Sequence, residues 1–230
     1  MRQPEFRIVT IPYADFSAPV RVRAGRTVYE TVGKRCFDIF FVLLSLPVVL
    51  PLLLVIAAAT WVEGGRPFYV QRRIGHGGRV FRFWKIRTMV QDADAALARL
   101  IAADPVAAAE WAANQKLVRD PRITRLGRFL RRTSLDELPQ VWNVLNGTMS
   151  LVGPRPFTPD QLALYPADSA SAYYRLRPGL SGLWQISRRN AGSFVERVHY
   201  DEDYGMRLCL LLDLKIIWRT FSVMLRATGL

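Results

Sequence analysis

The chain is short of the residues that staple or metallate small proteins. Its 230 residues include two cysteines and two histidines. Cys36 and Cys209 are far apart and lack C-x-x-C spacing, so they make neither a disulfide framework nor a zinc site. Both lie in apolar stretches and read as small buried or lipid-facing side chains. A reducing, cytoplasmic setting is the default. His76 and His199 are too few for a histidine-based metal centre. Acids are scarce too: 19 Asp+Glu stand against 32 Lys+Arg, a net charge of +13. There is no G-X-Y period and no internal repeat of 20–50 residues. Half the residues are hydrophobic, which excludes a disordered basic tail. The length supports a core without staples. The positive surplus asks for an acidic partner: nucleic acid, anionic lipid or a phosphorylated substrate.

Residues 39–62 lack charge altogether, 24 in a row. A straight helix of that length measures about 36 Å, enough to cross a hydrocarbon core of about 30 Å. The run begins too late for a cleavable signal peptide and has no convincing cleavage context. Pro47 and Pro51 lie near its middle, and each removes a backbone donor and clashes with the preceding turn. They predict a bend or break, leaving two pieces too short to cross alone. Five Lys/Arg lie in residues 19–38 and five in 63–82, so no charge asymmetry orients a span. The reading that reconciles these facts is a re-entrant hairpin with both ends on the cytoplasmic side.

Elsewhere the organisation is plainer. Residues 1–33 read as an N-terminal arm, 34–66 as the membrane element and 67–230 as a cytoplasmic catalytic domain. Alternating apolar residues flank Gly75-His76-Gly77-Gly78 within 67–90, predicting a β-hairpin. Residues 91–118 read as helix interrupted at Asp104-Pro105, and 122–133 as a basic amphipathic helix. A short helix should follow Pro139, and 153–156 (GPRP) should form a stiff loop. Residues 208–226 form a last helix whose charges favour the membrane surface or the core over a second span. The fold class is therefore α+β, mostly helical, with a small hairpin and interfacial helices.

Against the basic background stands one adjacent acidic pair, in Ser134-Leu135-Asp136-Glu137-Leu138-Pro139. Local spacing permits a structural use: Asp136 as a helix N-cap, or Ser134 and Glu137 as a capping box. It also permits chemistry on a polyanion. One carboxylate can attack phosphorus while the other holds Mg²⁺ on a diphosphate, with arginines stabilising the phosphoryl oxygens.

Longer strings decide between these uses. The segments KRCFDIF (34–40), FYVQRRIGHGG (68–78), FRFWKIRTM (81–89), DPRITRLGRFLRRTSLDELPQVWNVLNG (120–147), MSLVGPRP (149–156), RPGLSGLWQISRRN (177–190) and LLDLKI (211–216) occur in one order. In them the chain resembles the bacterial sugar transferase family, the monotopic polyprenyl-phosphate phosphoglycosyl transferases. The resemblance implies a monotopic enzyme on the cytoplasmic face of the bacterial inner membrane. It implies transfer of a sugar 1-phosphate from a UDP-sugar to undecaprenyl phosphate with release of UMP. Carried over by position, Asp136 is the nucleophile and Glu137 the Mg²⁺ ligand. Lys85, Arg131 and Arg155 are basic substrate contacts, and Arg177, Gln185 and Asp201 lie in matching stretches. Pro51 matches the family's helix-breaking proline, but Leu50 stands where a serine commonly precedes it, so Pro47 shares the break.

The stretch around Glu110-Trp111 and residues 116–121 looks closest to hexose-1-phosphate transferases that start exopolysaccharide repeats, which points to galactose or glucose. The alternatives are a UDP-N-acetylated sugar, or a non-catalytic basic protein tethered to the membrane. The expected partners are the UDP-sugar, undecaprenyl phosphate and membrane lipids, with a homodimer left open. Nucleic acid is not expected, because no nucleic-acid-binding signature is present.

Overall fold

In the computed structural model the apolar run forms one helix. The structure describes residues 27–114, 117, 119–165, 171–187, 194 and 196–225; most of the N-terminal arm lies outside them. The arm's last turn, Tyr29–Gly33, is π-helical and leads directly into α1 (Lys34–Val62). Both prolines lie inside that single 29-residue helix. The element expected to bend or break at Pro47 and Pro51 keeps helical hydrogen bonding along its whole length. Each proline deletes one hydrogen bond. In apolar surroundings nothing else would satisfy the flanking peptides, so the remaining helical bonds are kept. Gly64 and Gly65, at φ +108° and +87°, end the helix.

α1 is anchored at its ends and bare in its middle. At the start, Arg35 donates to the Leu145 carbonyl (2.7 Å), and Asp38 accepts from Ser150 Oγ and Leu151 N, both 2.9 Å. Val42 packs with Phe83, Val144 and Met149. At the far end, Ile56 packs with Ile86 and Leu130, and Arg87 donates to the Thr60 carbonyl (2.9 Å). Between them Val48, Leu50, Leu54 and Val55 are exposed. The helix is long and apolar enough to cross a membrane, and only 11% of its most apolar window is buried. The core helix of a soluble protein would be mostly buried.

The expected hairpin is present. β1 (Phe68–Ile74) and β2 (Val80–Ile86) pair antiparallel, with Tyr69 opposite Lys85. Their turn uses Gly77 and Gly78 at φ +64° and +72°. The Ala-rich stretch forms α2 (Ala93–Ala103) and α3 (Pro105–Asn114), divided at Asp104, whose carboxylate accepts from Val106 N and Ala107 N. The basic helix is α4 (Arg125–Thr133), capped by Thr124 Oγ1 accepting from Gly127 N (2.8 Å). Gly127 must be glycine, since a Cβ there would lie 2.0 Å from the Thr88 carbonyl oxygen. α5 (Gln140–Leu145) follows Pro139 as expected.

A second, unexpected sheet pairs β3 (Ser150–Val152) in parallel with β4 (Gly179–Ser181). The short helices α6 (Ala172–Arg175) and α7 (Leu183–Ser187) flank β4. α8 (Arg197–Arg207) and α9 (Leu210–Leu225) then close the core. There Tyr200, Tyr204, Leu212 and Ile216 meet Val152 and Leu183. The molecule is thus mostly helical with small sheets, as the α+β reading expects.

Candidate active site

The acidic pair is set by a backbone reversal. α4 ends at Ser134, whose φ of +59° makes it the one non-glycine with positive φ among the described residues. That conformation costs about 1 kcal/mol or more. It turns the chain into the short 3₁₀ segment Leu135–Glu137 and presents both carboxylates to β2. Lys85 Nζ, on β2, lies 3.3 Å from Asp136 Oδ2 and 3.0 Å from Glu137 Oε1. Arg155 Nη2 reaches the same Glu137 oxygen at 3.2 Å. Neither carboxylate is spent on a helix cap. The structural use that the spacing permitted is not the one the fold makes.

The two acids are tuned in opposite directions. Burial raises the Asp136 pKa, and the neighbouring charge of Glu137 adds to the rise, while Lys85 opposes it. Burial acts on Glu137 in the same sense, but the ammonium of Lys85 and the guanidinium of Arg155 outweigh it, and its pKa falls to about 2. Glu137 is an anion at physiological pH, and Asp136 is the more basic of the two carboxylates. A pair pushed apart in this way suits two different roles.

Glu137 and Arg155 lie on the wall of a cavity of about 470 Å³. It is lined by Phe41, Leu44 and Val49 of α1, Leu138 and Val141 after the acidic pair, and Ile217 and Phe221 of α9. The lining is overwhelmingly apolar, so the charged cluster stands beside a hydrocarbon-like chamber. Gln185, on α7, also lines it; it is 8% exposed, and neither amide atom has a partner among the described residues. An unpaired amide in such a place costs a few kcal/mol unless something binds it.

The other expected site residues divide. Arg131 donates from Nε to Thr88 Oγ1 (2.8 Å) and acts electrostatically on Asp136. Arg177 does not join the acids. Its Nε donates to the Gly147 carbonyl (2.9 Å), and it lines a separate polar pocket with Lys34, Arg35 and His76. Asp201 is 4% exposed on α8 and accepts from Tyr165 Oη (2.8 Å) rather than facing the cavity. Sequence reasoning missed Arg73 and Arg197, which approach the Arg155 loop from β1 and α8.

The chain is similar to known proteins over most of its length. The family model described as bacterial sugar transferase matches residues 29–227. An exopolysaccharide production protein ExoY of Sinorhizobium fredii is 45% identical over 200 residues, covering 86% of this chain and 88% of that protein. A UDP-galactose-lipid carrier transferase of Erwinia amylovora is 43% identical over 196 residues, covering 85% of this chain and 41% of the relative. An undecaprenyl-phosphate galactose phosphotransferase of Salmonella typhimurium has the same identity and coverage. The chain thus spans most of the ExoY relative and about two fifths of the other two. A match over nearly all the described residues, with these levels of identity, makes the protein an enzyme of the transferase class: it belongs to the bacterial sugar transferase family.

Proposed function

We propose that the chain transfers a hexose 1-phosphate from a UDP-sugar to undecaprenyl phosphate, as the first membrane step of an exopolysaccharide. The observation that carries this reading is the placement of Asp136, Glu137, Lys85 and Arg155 beside an apolar cavity built partly from α1. A soluble phosphoryl acceptor would not need such a wall; a lipid phosphate does. In the first step an Asp136 oxygen attacks the sugar-bearing phosphorus. The P–O bond to the bridging oxygen breaks, and UMP leaves with the electron pair. In the second step an oxygen of the lipid phosphate attacks the same phosphorus, and the Asp136–phosphorus bond breaks. The product is a lipid diphosphosugar, and Asp136 is regenerated. Lys85 and Arg155 balance the phosphoryl charge in both steps.

Mg²⁺ suits this donor set. It takes one or two carboxylates and completes its shell with phosphate oxygens and water. Glu137 Oε2 and Asp136 Oδ1 accept from none of the described residues, so Glu137, with Asp136 beside it, would hold the ion. Bound there, it would neutralise diphosphate charge.

Both flanks of α1 pack on the same body, Asp38 on Ser150 and Thr60 on Arg87. A span would carry its flanks to opposite surfaces about 30 Å apart. This supports a segment that enters and leaves one leaflet on the cytoplasmic face of the inner membrane. The sugar is taken as galactose, from the names of two relatives that mention galactose, with glucose as its epimeric alternative. The test is UMP release from a panel of UDP-galactose, UDP-glucose and UDP-N-acetylhexosamines, with and without undecaprenyl phosphate. Lipid-stimulated release from a hexose donor is expected; none from any donor would refute the proposal.

A further inference from the structure

The loop carrying Arg155 is held through its carbonyls. Four in succession have donors. Gly179 N reaches the Pro154 oxygen at 2.8 Å, and Arg197 Nη2 the Arg155 oxygen. Arg73 Nη1 reaches the Pro156 oxygen at 3.4 Å, and Ile74 N the Phe157 oxygen at 2.9 Å. Pro154 and Pro156 have no N–H to satisfy, and Phe157 N donates to Tyr173 Oη (3.4 Å). Gly153 permits the close approach to β4, because a Cβ there would lie 2.4 Å from the Arg177 carbonyl oxygen. The backbone is therefore fixed from β1, β4 and α8, while the Arg155 side chain stays 35% exposed at the cavity.

Two of these four donors are guanidinium groups, where neutral amides would serve a carbonyl as well. Arg197 is 6% exposed, and its guanidinium carbon lies 5.0 Å from the centroid of the Trp184 ring and 4.8 Å from that of Phe194. Arg73 lies over Phe83 at 5.4 Å. The Nε atom of each is buried and has no partner among the described residues. Burial and the nearby charge of Arg155 press the Arg73 pKa down to about 10, and burial lowers that of Arg197. The acids within electrostatic reach are Glu137 and Asp201, with Glu202 beyond. Burial holds Asp201 near a pKa of about 7, so its compensation is partial. Three like charges crowded together in a poorly hydrated place are costly. The arrangement makes sense if an anion of more than one charge arrives there.

We infer that Arg73 and Arg197 are positioning residues for the donor's diphosphate: they clamp the Arg155 backbone and, with Arg155, form a three-guanidinium field that captures a nucleoside diphosphate. The inference rests on the sugar-phosphate transfer reading and extends it to residues outside the expected site. It requires both fixed geometry and positive charge, which two kinds of substitution separate. Arg→Gln keeps a donor for the carbonyl and deletes the charge; Arg→Lys keeps the charge.

The experiment is equilibrium binding of UDP to the full chain in nanodiscs, for wild type and for Arg73→Gln, Arg73→Lys, Arg197→Gln and Arg197→Lys. Thermal unfolding is measured alongside. The clamp predicts a Kd raised about tenfold by each Gln variant, with a shallower salt dependence, and largely restored in the Lys variants. In turnover, KM for the UDP-sugar should rise more than kcat falls. UDP binding unchanged in the Gln variants overturns the inference. So does loss in Gln and Lys variants alike that follows the loss of stability, and so does wild-type protein that does not bind UDP. Lipid-dependent UMP release by wild type reports separately on the reaction. Transfer without a binding defect in the variants removes the clamp and leaves the reaction. A binding defect in protein that transfers no sugar keeps the clamp and removes the reaction.

Discussion

Among the described residues there are two buried acid–lysine centres, and their difference separates architecture from chemistry. Asp213 on α9 is fully buried, and every approach to it is taken. Lys34 Nζ and Tyr29 Oη meet its Oδ2 at 2.7 Å, and Tyr204 Oη meets its Oδ1 at 2.7 Å. Burial and the Asp213 charge push the Tyr204 phenol well up, so it remains a donor. This centre ties the start of α1 to α8 and α9, and its carboxylate has no exposed surface. The Asp136–Glu137 centre has one lysine for two carboxylates, oxygens without donors, surplus arginines nearby and a cavity at its side. Full satisfaction marks a structural pair; incomplete satisfaction beside a chamber marks a site awaiting a ligand.

The largest expected contrast comes from equivalent substitutions in the two centres. Asp136→Asn should lower kcat by roughly 10⁴-fold or more, because the nucleophile is gone. Its melting temperature should barely move. Asp213→Asn should do the reverse, costing about 3–5 kcal/mol by leaving Lys34 charged without its partner, with residual activity in whatever remains folded. Steady-state kinetics and thermal unfolding of both variants check this. If the two exchanged phenotypes, the assignment of roles would be inverted.

Next in size, Glu137→Gln should cost about 10²–10³-fold in kcat/KM and raise the Mg²⁺ concentration needed for half activity. An unchanged Mg²⁺ dependence would move the metal elsewhere.

A smaller, sharper contrast lies in pH. Turnover needs Asp136 ionised, and its pKa stands above the usual carboxylate value. The acid limb of kcat should therefore belong to Asp136. Glu137, at about 2, stays ionised throughout. Lys85→Met removes a charge that favours the carboxylate, so the limb should move to higher pH although the rate also falls. A limb that stayed in place would mean that another group controls it.

The smallest effect concerns Asp201. Its folded pKa of about 7 lies above the unfolded value, so the folded state binds more protons between about pH 4 and 7. Stability from this carboxyl is greatest in acid and is lost as pH rises through about 7. Asp201→Asn should flatten that part of the dependence, visible as a smaller fall in melting temperature from pH 5 to pH 8.

Local signals in the sequence were the legible ones. The Gly75–Gly78 tract gave away the β1–β2 turn, Pro139 the start of α5, and the prolines of GPRP the fixed loop. The apolar run marked the extent of α1, which keeps its helical bonds through both prolines. Pairing of Ser150–Val152 with Gly179–Ser181 was invisible, since three-residue strands about 30 positions apart carry no period of their own. At the site, Asp136, Glu137, Lys85 and Arg155 were readable from motifs. Arg73 and Arg197 were not, because an arginine aimed at a distant carbonyl looks in sequence like any solvated charge. Arg177 and Asp201 lie apart from the acidic pair, so membership of a matching stretch did not by itself say which side chains the fold brings together.

The covalent role of Asp136 can be tested in one incubation. Enzyme in nanodiscs is given sugar-labelled UDP-galactose and Mg²⁺ without lipid, and released UMP and protein-bound label are counted. The account predicts UMP approaching about one equivalent per active site, with label retained on wild type and absent from Asp136→Asn. No UMP and no label, in enzyme shown to transfer sugar once undecaprenyl phosphate is added, would contradict it.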